Sequence, residues 1–208
     1  MSLSLKNDYM HNDDDTTTIF IKSKKYGTVE MVLLTEDLIK IDKWASQPHI
    51  NATEQWGITT GKANKGHALY AKIGILSPKG GWVACGGNGG RCRRRTVVMV
   101  HRLIMEPDDG MVVDHIDGNG LNNLRENLRV CTNAENSRNT RQYAKTASRF
   151  KGVSKADSKS NPWKARLKYN YKEVYIGTFK TQEEAARAYD EKAKELFGEY
   201  ANLNFLDE

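Results

Sequence analysis

Met111-Val112-Val113-Asp114-His115-Ile116-Asp117-Gly118-Asn119-Gly120, continued by Asn127-Leu128-Arg129-Val130-Cys131 and Thr132-Asn133-Ala134-Glu135-Asn136, is the stretch that decides how this chain is read. Its β-branched opening, Met111 to Val113, predicts a strand. Asp117-Gly118-Asn119-Gly120 forces a turn. Leu128-Arg129-Val130 returns with the alternation of a second strand. Thr132-x-x-Glu135 has the spacing of a capping box, so a helix is expected to begin just after Thr132. The unit is therefore strand, polar loop, strand, helix.

Four polar residues fall where such a unit can gather them: Asp114, His115, Asn127 and Asn136. Asp114 and His115 end the first strand, and successive strand side chains point to opposite faces. Asp114 and Asn136 offer hard oxygens, which suit Mg²⁺ or Mn²⁺ rather than zinc. His115 is an imidazole able to take a proton near neutral pH. Asn127, at the start of the return strand, is placed to accept a hydrogen bond from the far ring nitrogen of His115 and so fix its tautomer.

Outward from this unit the chain divides by composition. Residues 1–17 are polar around Asn12-Asp13-Asp14-Asp15-Thr16-Thr17-Thr18 and are expected to be a disordered tail. Residues 18–100 form a β-rich region with strands at Thr28–Leu33 and Thr96–Val100 and a short helix over Glu36–Ala45, with Leu38, Ile39, Ile41 and Trp44 at helical spacing. Gly86-Gly87-Asn88-Gly89-Gly90 precedes Arg91-Cys92-Arg93-Arg94-Arg95, a loop that fits either a phosphate backbone or a solvated hairpin tip; Arg93 and Arg94 are its DNA-binding candidates. Residues 101–142 are the central unit, 143–148 a linker, and 149–205 a last module. That module predicts strands at Phe150–Lys155, Trp163–Tyr169 and Glu173–Phe179. A helix then starts at a second capping box, Thr181-x-x-Glu184, and carries an apolar stripe of Ala185, Ala188, Tyr189, Ala193 and Leu196.

The 208 residues contain 32 Lys and Arg against 26 Asp and Glu, a net charge of +6. The distribution says more than the sum. From Arg138 to Lys172 there are 11 basic residues and one acid, Asp157, whereas Thr181 to Glu199 holds six acids and three bases. A basic stretch beside an acidic helix fits a one-sided polyanion-binding module. No apolar run exceeds four residues, which excludes a transmembrane helix of roughly 20 residues and a secretory h-region of roughly 7. Three cysteines without a CxxC pair argue against a disulfide framework or a four-cysteine zinc site, and a reducing, intracellular compartment is expected.

Val100-His101-Arg102-Leu103-Ile104, Val113-Asp114-His115-Ile116-Asp117-Gly118-Asn119, Arg125-Glu126-Asn127-Leu128-Arg129-Val130-Cys131-Thr132 and Glu135-Asn136 closely resemble, in order and spacing, the HNH family of nucleases. The resemblance implies a ββα-metal (His-Me finger) core, His115 as general base, Asp114 and Asn136 as ligands of a single Mg²⁺ or Mn²⁺, and Asn127 as the residue that orients the base. Many HNH nucleases have histidine where Asn136 stands, so this chain is of the His-Asn-Asn kind. His101 matches a frequent position in the family and is read as a buried structural histidine. The segment with Tyr26-Gly27 and Trp44 resembles what precedes the motif in phage and intron-encoded homing endonucleases.

The last module resembles the Apetala-two/ethylene-response-factor DNA-binding domain through Phe150-Lys151-Gly152-Val153, Trp163-Lys164-Ala165-Arg166, Tyr175-Ile176-Gly177-Thr178-Phe179, Glu183 to Asp190 and Ala201-Asn202-Leu203-Asn204-Phe205. It implies a three-stranded antiparallel sheet packed on one helix. Ala165, Leu167, Val174 and Ile176 are expected to face the helix, leaving Lys164, Arg166, Lys168 and Tyr175 on the open face. Arg149 and Lys151 complete the DNA-binding candidates. Ser154 and Glu173 stand where the plant family often has arginine, so the docking mode transfers but base specificity does not.

The chain is thus read as α+β: a β-rich region, an HNH core and a recognition module, forming a metal-dependent endonuclease on double-stranded DNA that leaves a 5′-phosphate and a 3′-hydroxyl. No membrane association and no protein partner are expected. The competing expectation is a sequence-specific DNA-binding regulator with a vestigial HNH fold.

Overall fold

A computed structural model describes residues 3–50, 52–53, 55–60, 68–80, 82–85, 90–138, 148–170 and 172–205. The chain forms two compact units, Met1–Val130 and Cys131–Glu208, of mixed α and β structure. Among the described residues no helix is long and apolar enough to cross a membrane.

In the first unit β1 (Asp8–His11), β2 (Thr16–Ser23) and β3 (Gly27–Leu34) make an antiparallel meander. Ile19 and Ile21 of β2 and Met31 and Leu33 of β3 alternate with more exposed neighbours and are fully buried, so one face of this sheet builds the core. Helix α1 (Thr35–Ala45) lays Leu38 and Ile41 on that core, while Ile39, expected to join them, is 40% exposed. A second sheet follows in the order β4 (Gly57–Thr60), β5 (Leu69–Leu76), β8 (Arg95–Met99), with the hairpin β6 (Trp82–Cys85) and β7 (Gly90–Arg93) between the last two in sequence. Helix α2 (Val100–Met105) leads to β9 (Val112–His115), which pairs with β10 (Leu128–Cys131).

Two expectations change here. Residues 3–17 of the expected tail are ordered: Leu5 is buried, and Asn7 donates from its Nδ2 to the Phe20 carbonyl and accepts the Trp56 N–H at 2.7 Å. The polarity of residues 12–18 is turn chemistry, with Asn12 donating to Thr16 Oγ1 at 2.8 Å and Asp14 accepting the Thr16 hydroxyl at 2.6 Å. The β-rich region and the paired strands β9 and β10 are also not separate bodies. Val100, Ile104, Val113 and Leu128 belong to the same apolar cluster as Ile19, Met31 and Ile73.

The second unit begins with α3 (Asn133–Arg138), started by the Thr132–Glu135 capping box: the Thr132 N–H donates to Glu135 Oε2 at 2.8 Å, and the Glu135 N–H to Thr132 Oγ1 at 3.2 Å. The expected linker falls largely outside the described residues. Strands β11 (Val153–Lys155), β12 (Trp163–Tyr169) and β13 (Lys172–Phe179) form an antiparallel sheet, and α4 (Gln182–Phe197), capped by Thr181 and Glu184, covers it. Its core is Phe150, Val153, Ala165, Leu167, Ala185, Ala186, Tyr189, Ala193 and Phe197. Ala188 and Leu196 of the expected stripe are only half-buried, because Ala186 and Phe197 turn the buried face of α4 toward themselves. The C-terminal segment is tied back by Asn204, whose side chain accepts the Lys151 N–H at 2.6 Å and donates to Asp190 Oδ1 at 3.0 Å.

Candidate active site

Strand β9 ends in Asp114 and His115, both buried, at 7% and 4% exposure. The two side chains have different surroundings. Asp114 Oδ2 accepts two bonds from Arg129 of β10, from Nε at 3.0 Å and from Nη2 at 2.8 Å. A guanidinium donating twice to a buried carboxylate fixes its rotamer. Arg129 lies two residues beyond Asn127, and the alternation of Leu128-Arg129-Val130 sets it on the face opposite its neighbours, but only the pairing of β9 with β10 brings it to Asp114.

His115 instead meets a pair of rings. Its centroid lies 5.1 Å from that of His101, nearly perpendicular at 86°, and 5.6 Å from Tyr70, which in turn sits 5.7 Å from His101. Its Nε2 is 3.5 Å from Asn123 Oδ1. Burial pushes the His115 pKa below the usual imidazole range, against an opposing pull from Asn123 and the carboxylates of Asp117 and Asp114. The ring is therefore neutral, a proton acceptor, at pH 7.

Asn127 does not take the place expected of it beside the imidazole. Its Oδ1 accepts the Asp117 N–H at 3.0 Å, and its Nδ2 donates to Asp117 Oδ1 at 3.0 Å and to the Asn122 carbonyl at 2.9 Å. The 3₁₀ turn Arg125–Asn127 aims this side chain at the loop after β9, so it braces the loop that follows His115, while Asn123 stands nearest the ring. Asp117 feels burial, which would raise its pKa. The bonds from the Asn119 N–H, Asn122 and Asn127 outweigh it and hold the carboxylate below its ordinary value.

The loop is anchored to the N-terminal sheet. The Val32 N–H donates to the Leu121 carbonyl at 3.0 Å, and the Asn123 N–H to the Val32 carbonyl at 2.8 Å. Arg125 holds the buried carboxylate of Asp37 on α1 with Nε and Nη2. At Gly120 the loop passes so near β5 that a Cβ would lie 2.5 Å from the Tyr70 ring and closer still to the Leu69 carbonyl. Only glycine allows that approach.

His101 is buried at 8% exposure, and its Nδ1 has no hydrogen-bond partner among the described residues. Burial first, then His115 and Arg102, push its pKa down from 6.5 to about 3. The folded protein thus keeps His101 neutral where the unfolded chain would protonate it. Below pH 6.5 the unfolded state binds the extra proton, so stability falls as pH drops from 6.5 toward 3, by about 1.4 kcal/mol per pH unit for this one group. Urea titrations at several pH values are expected to show that slope in the native chain, and His101→Gln to flatten it by about one proton. An unchanged slope in the variant would show that His101 is not the group held neutral.

The remaining candidates are placed as follows. Asn136 is half-buried on α3, in the second unit. Among the described residues no cluster of three or more His, Cys, Asp and Glu could hold a metal ion. Arg93, which ends β7, and Arg94, which follows it, are exposed, and residues 86–89 of the expected loop lie outside the described residues. In the second unit Arg166, Lys168 and Tyr175 are exposed and Lys164 is half-buried, while Ala165 and Leu167 are buried and Val174 and Ile176 pack on the helix-side core. Arg149 is exposed, but its guanidinium lies over the Phe150 ring and 3.6 Å from Glu183 in the first turn of α4. Lys151 is withdrawn from the open face: it is half-buried, and burial, partly offset by Asp190, lowers its pKa to about 8.

Against this geometry the comparisons with known proteins are specific. Residues 98–138 match a family model described as HNH endonuclease, a span that takes in α2, β9, β10 and α3. The chain is 41% identical over 111 residues to an uncharacterized HNH endonuclease, L560, of Acanthamoeba polyphaga mimivirus, covering 52% of this chain and 56% of that one. It is 33% identical over 103 residues to the ethylene-responsive transcription factor ERF069 of Arabidopsis thaliana, covering 46% and 60%. It is 41% identical over 73 residues to the ethylene-responsive transcription factor ERN3 of Medicago truncatula, covering 34% and 30%. The chain thus spans little more than half the length of the first two relatives and joins an HNH segment with likeness to ethylene-responsive factors.

Proposed function

We propose that the chain whose residues 98–138 match the HNH endonuclease model is a DNA endonuclease directed by the sheet of its second unit. The observation that carries the reading is the pairing, at the end of β9, of a carboxylate fixed by Arg129 with a buried imidazole that is neutral at pH 7. In this reading β9, β10 and α3 form a ββα-metal core, and His115 accepts a proton from the water that attacks the phosphodiester. Asn127 holds the loop beyond His115 in shape through Asp117 and Asn122.

The donor set fits a hard divalent cation. One carboxylate oxygen and one amide oxygen, from Asp114 and Asn136, suit Mg²⁺ or Mn²⁺, which keep several waters and take further oxygens from a phosphate. When bound, the ion neutralises charge that builds on the phosphate and the leaving oxygen. The products on this reading are a 5′-phosphate and a 3′-hydroxyl. The second unit supplies the target: a sheet face bearing Lys164, Arg166, Lys168 and Tyr175 fits a major groove, and tethering raises the effective concentration of the catalytic unit at the bound site.

Supercoiled plasmid incubated with the protein and Mg²⁺ is expected to become nicked or linear, and to stay intact when EDTA is added. Intact plasmid together with a gel shift would instead favour the DNA-binding regulator that the transcription-factor relatives suggest. The sheet has its own test. Lys164→Ala with Lys168→Ala is expected to lower the slope of log K against log salt by roughly 2, one counterion for each lost phosphate contact. An unchanged slope in nitrocellulose-filter titrations would move DNA contact away from this face.

A further inference from the structure

The open face of the second sheet carries a charge of the wrong sign for its proposed partner. Among the residues of β11, β12 and β13, Glu173 is the only carboxylate. It lies at the start of β13, opposite Lys168 in the strand register, with its side chain 62% exposed. Arg166 Nη1 donates to Glu173 Oε2 at 3.0 Å, and Arg166 itself pairs in register with Tyr175, the most exposed large apolar side chain among the described residues, at 63%. Arg166, Glu173 and Tyr175 therefore form one contiguous patch, flanked by Lys164 and Lys168.

A carboxylate set among phosphates is repelled, and it weakens non-specific attraction by cancelling one cation. It is tolerated in a groove only where a base edge offers it a donor. In the major groove the donors are the amino groups of cytosine N4 and adenine N6. Adenine sets N7, an acceptor, beside its amino group, so the second carboxylate oxygen would face a lone pair. Cytosine presents the amino group alone. The guanidinium that orients Glu173 spends one of its five N–H groups on it and has others to direct at O6 or N7 of a neighbouring guanine.

We propose that Glu173, oriented by Arg166, specifies a cytosine in the recognition site by accepting a hydrogen bond from its N4 amino group. This rests on the reading that the open sheet face enters the major groove. Guanine and thymine at that position set acceptor oxygens against the carboxylate, and the expected discrimination against them is about 5-fold, the low end of what a bidentate base contact supplies. Glu173 thus trades non-specific affinity for choice of base.

The test is selection from random duplex DNA by the full chain, in EDTA so that bound sites are not cut, with the enriched pools sequenced. The native chain is expected to enrich a motif containing an invariant cytosine. Glu173→Gln is expected to lose preference at that one position, with adenine rising there because an amide can bond N6 and N7 together, while the rest of the motif persists. Glu173→Asp, with a shorter reach, is expected to keep cytosine with a reduced margin. A Glu173→Gln pool that retains the same cytosine overturns the proposal, as does a Glu173-dependent position occupied by another base. Failure of the native chain to enrich any motif overturns the groove-reading sheet itself, and the cytosine assignment with it.

Discussion

Replacing His115 by alanine is expected to lower DNA cleavage by about 10²–10⁴-fold, the usual worth of a positioned proton acceptor, while leaving DNA affinity unchanged. The size of the effect follows from the surroundings of the ring. His115 is 4% exposed, and burial pushes its pKa below the usual imidazole range, so the competent neutral form predominates at pH 7. The neighbouring His101 is itself held neutral, with a pKa near 3, and Tyr70 is a phenol, so neither replaces the lost base well. Affinity is expected to hold because the sheet face proposed to bind the target, with Lys164, Arg166, Lys168 and Tyr175, belongs to the other unit. Single-turnover cleavage with Mg²⁺, beside gel shifts in EDTA, checks both halves. Cleavage within a few-fold of the native rate would remove His115 from the mechanism.

Gly152→Ala is expected to unfold the second unit while sparing the first. Gly152 has φ +76°, in the left-handed region, and a Cβ there would lie 2.7 Å from the Arg166 carbonyl and closer still to the Tyr189 ring. The ring cannot yield, because Tyr189 is 4% exposed within the cluster of Phe150, Ala165 and Phe197. The carbonyl cannot yield either, because it belongs to β12, the central strand of the sheet. Left-handed strain of about 1–3 kcal/mol and an overpacking cost of similar size add to roughly 2–6 kcal/mol, a large part of the stability of a module this small. Thermal melts are expected to lose one transition and retain the other, with target binding lost and near-UV signal from the first unit kept. A variant that melts and binds like the native chain would contradict the steric argument.

Much of the local structure could be read from residues alone. The capping boxes at Thr132 and Thr181 start α3 and α4 where their spacing says, and β12 spans Trp163–Tyr169 as its alternation predicts. The split of the second sheet into a buried face at Ala165 and Leu167 and an exposed one at Arg166 and Lys168 also follows from period two. What could not be read is whatever distant chain segments decide. Asn123 and Asn127 are the same residue type four positions apart, and only the path of the loop over β3 and Tyr70 determines which one stands beside His115. Asn7 looks like part of a polar tail until its bond to Trp56, 49 residues away, is known. Lys151 resembles its basic neighbours in sequence, yet the return of Asn204 to the chain at that point accompanies its partial burial.

The anchoring of the loop between His115 and Asn127 has a consequence for how such a motif can be inherited or moved. Its letters are contiguous, but its shape is borrowed: Val32 on an edge strand, Asp37 on a helix and the ring of Tyr70 each hold it from outside the span that carries the family likeness. Residues 98–138 transplanted alone into another protein would keep the signature and lose these holds on the loop, so moving the motif intact means moving Val32, Asp37 and Tyr70 with it.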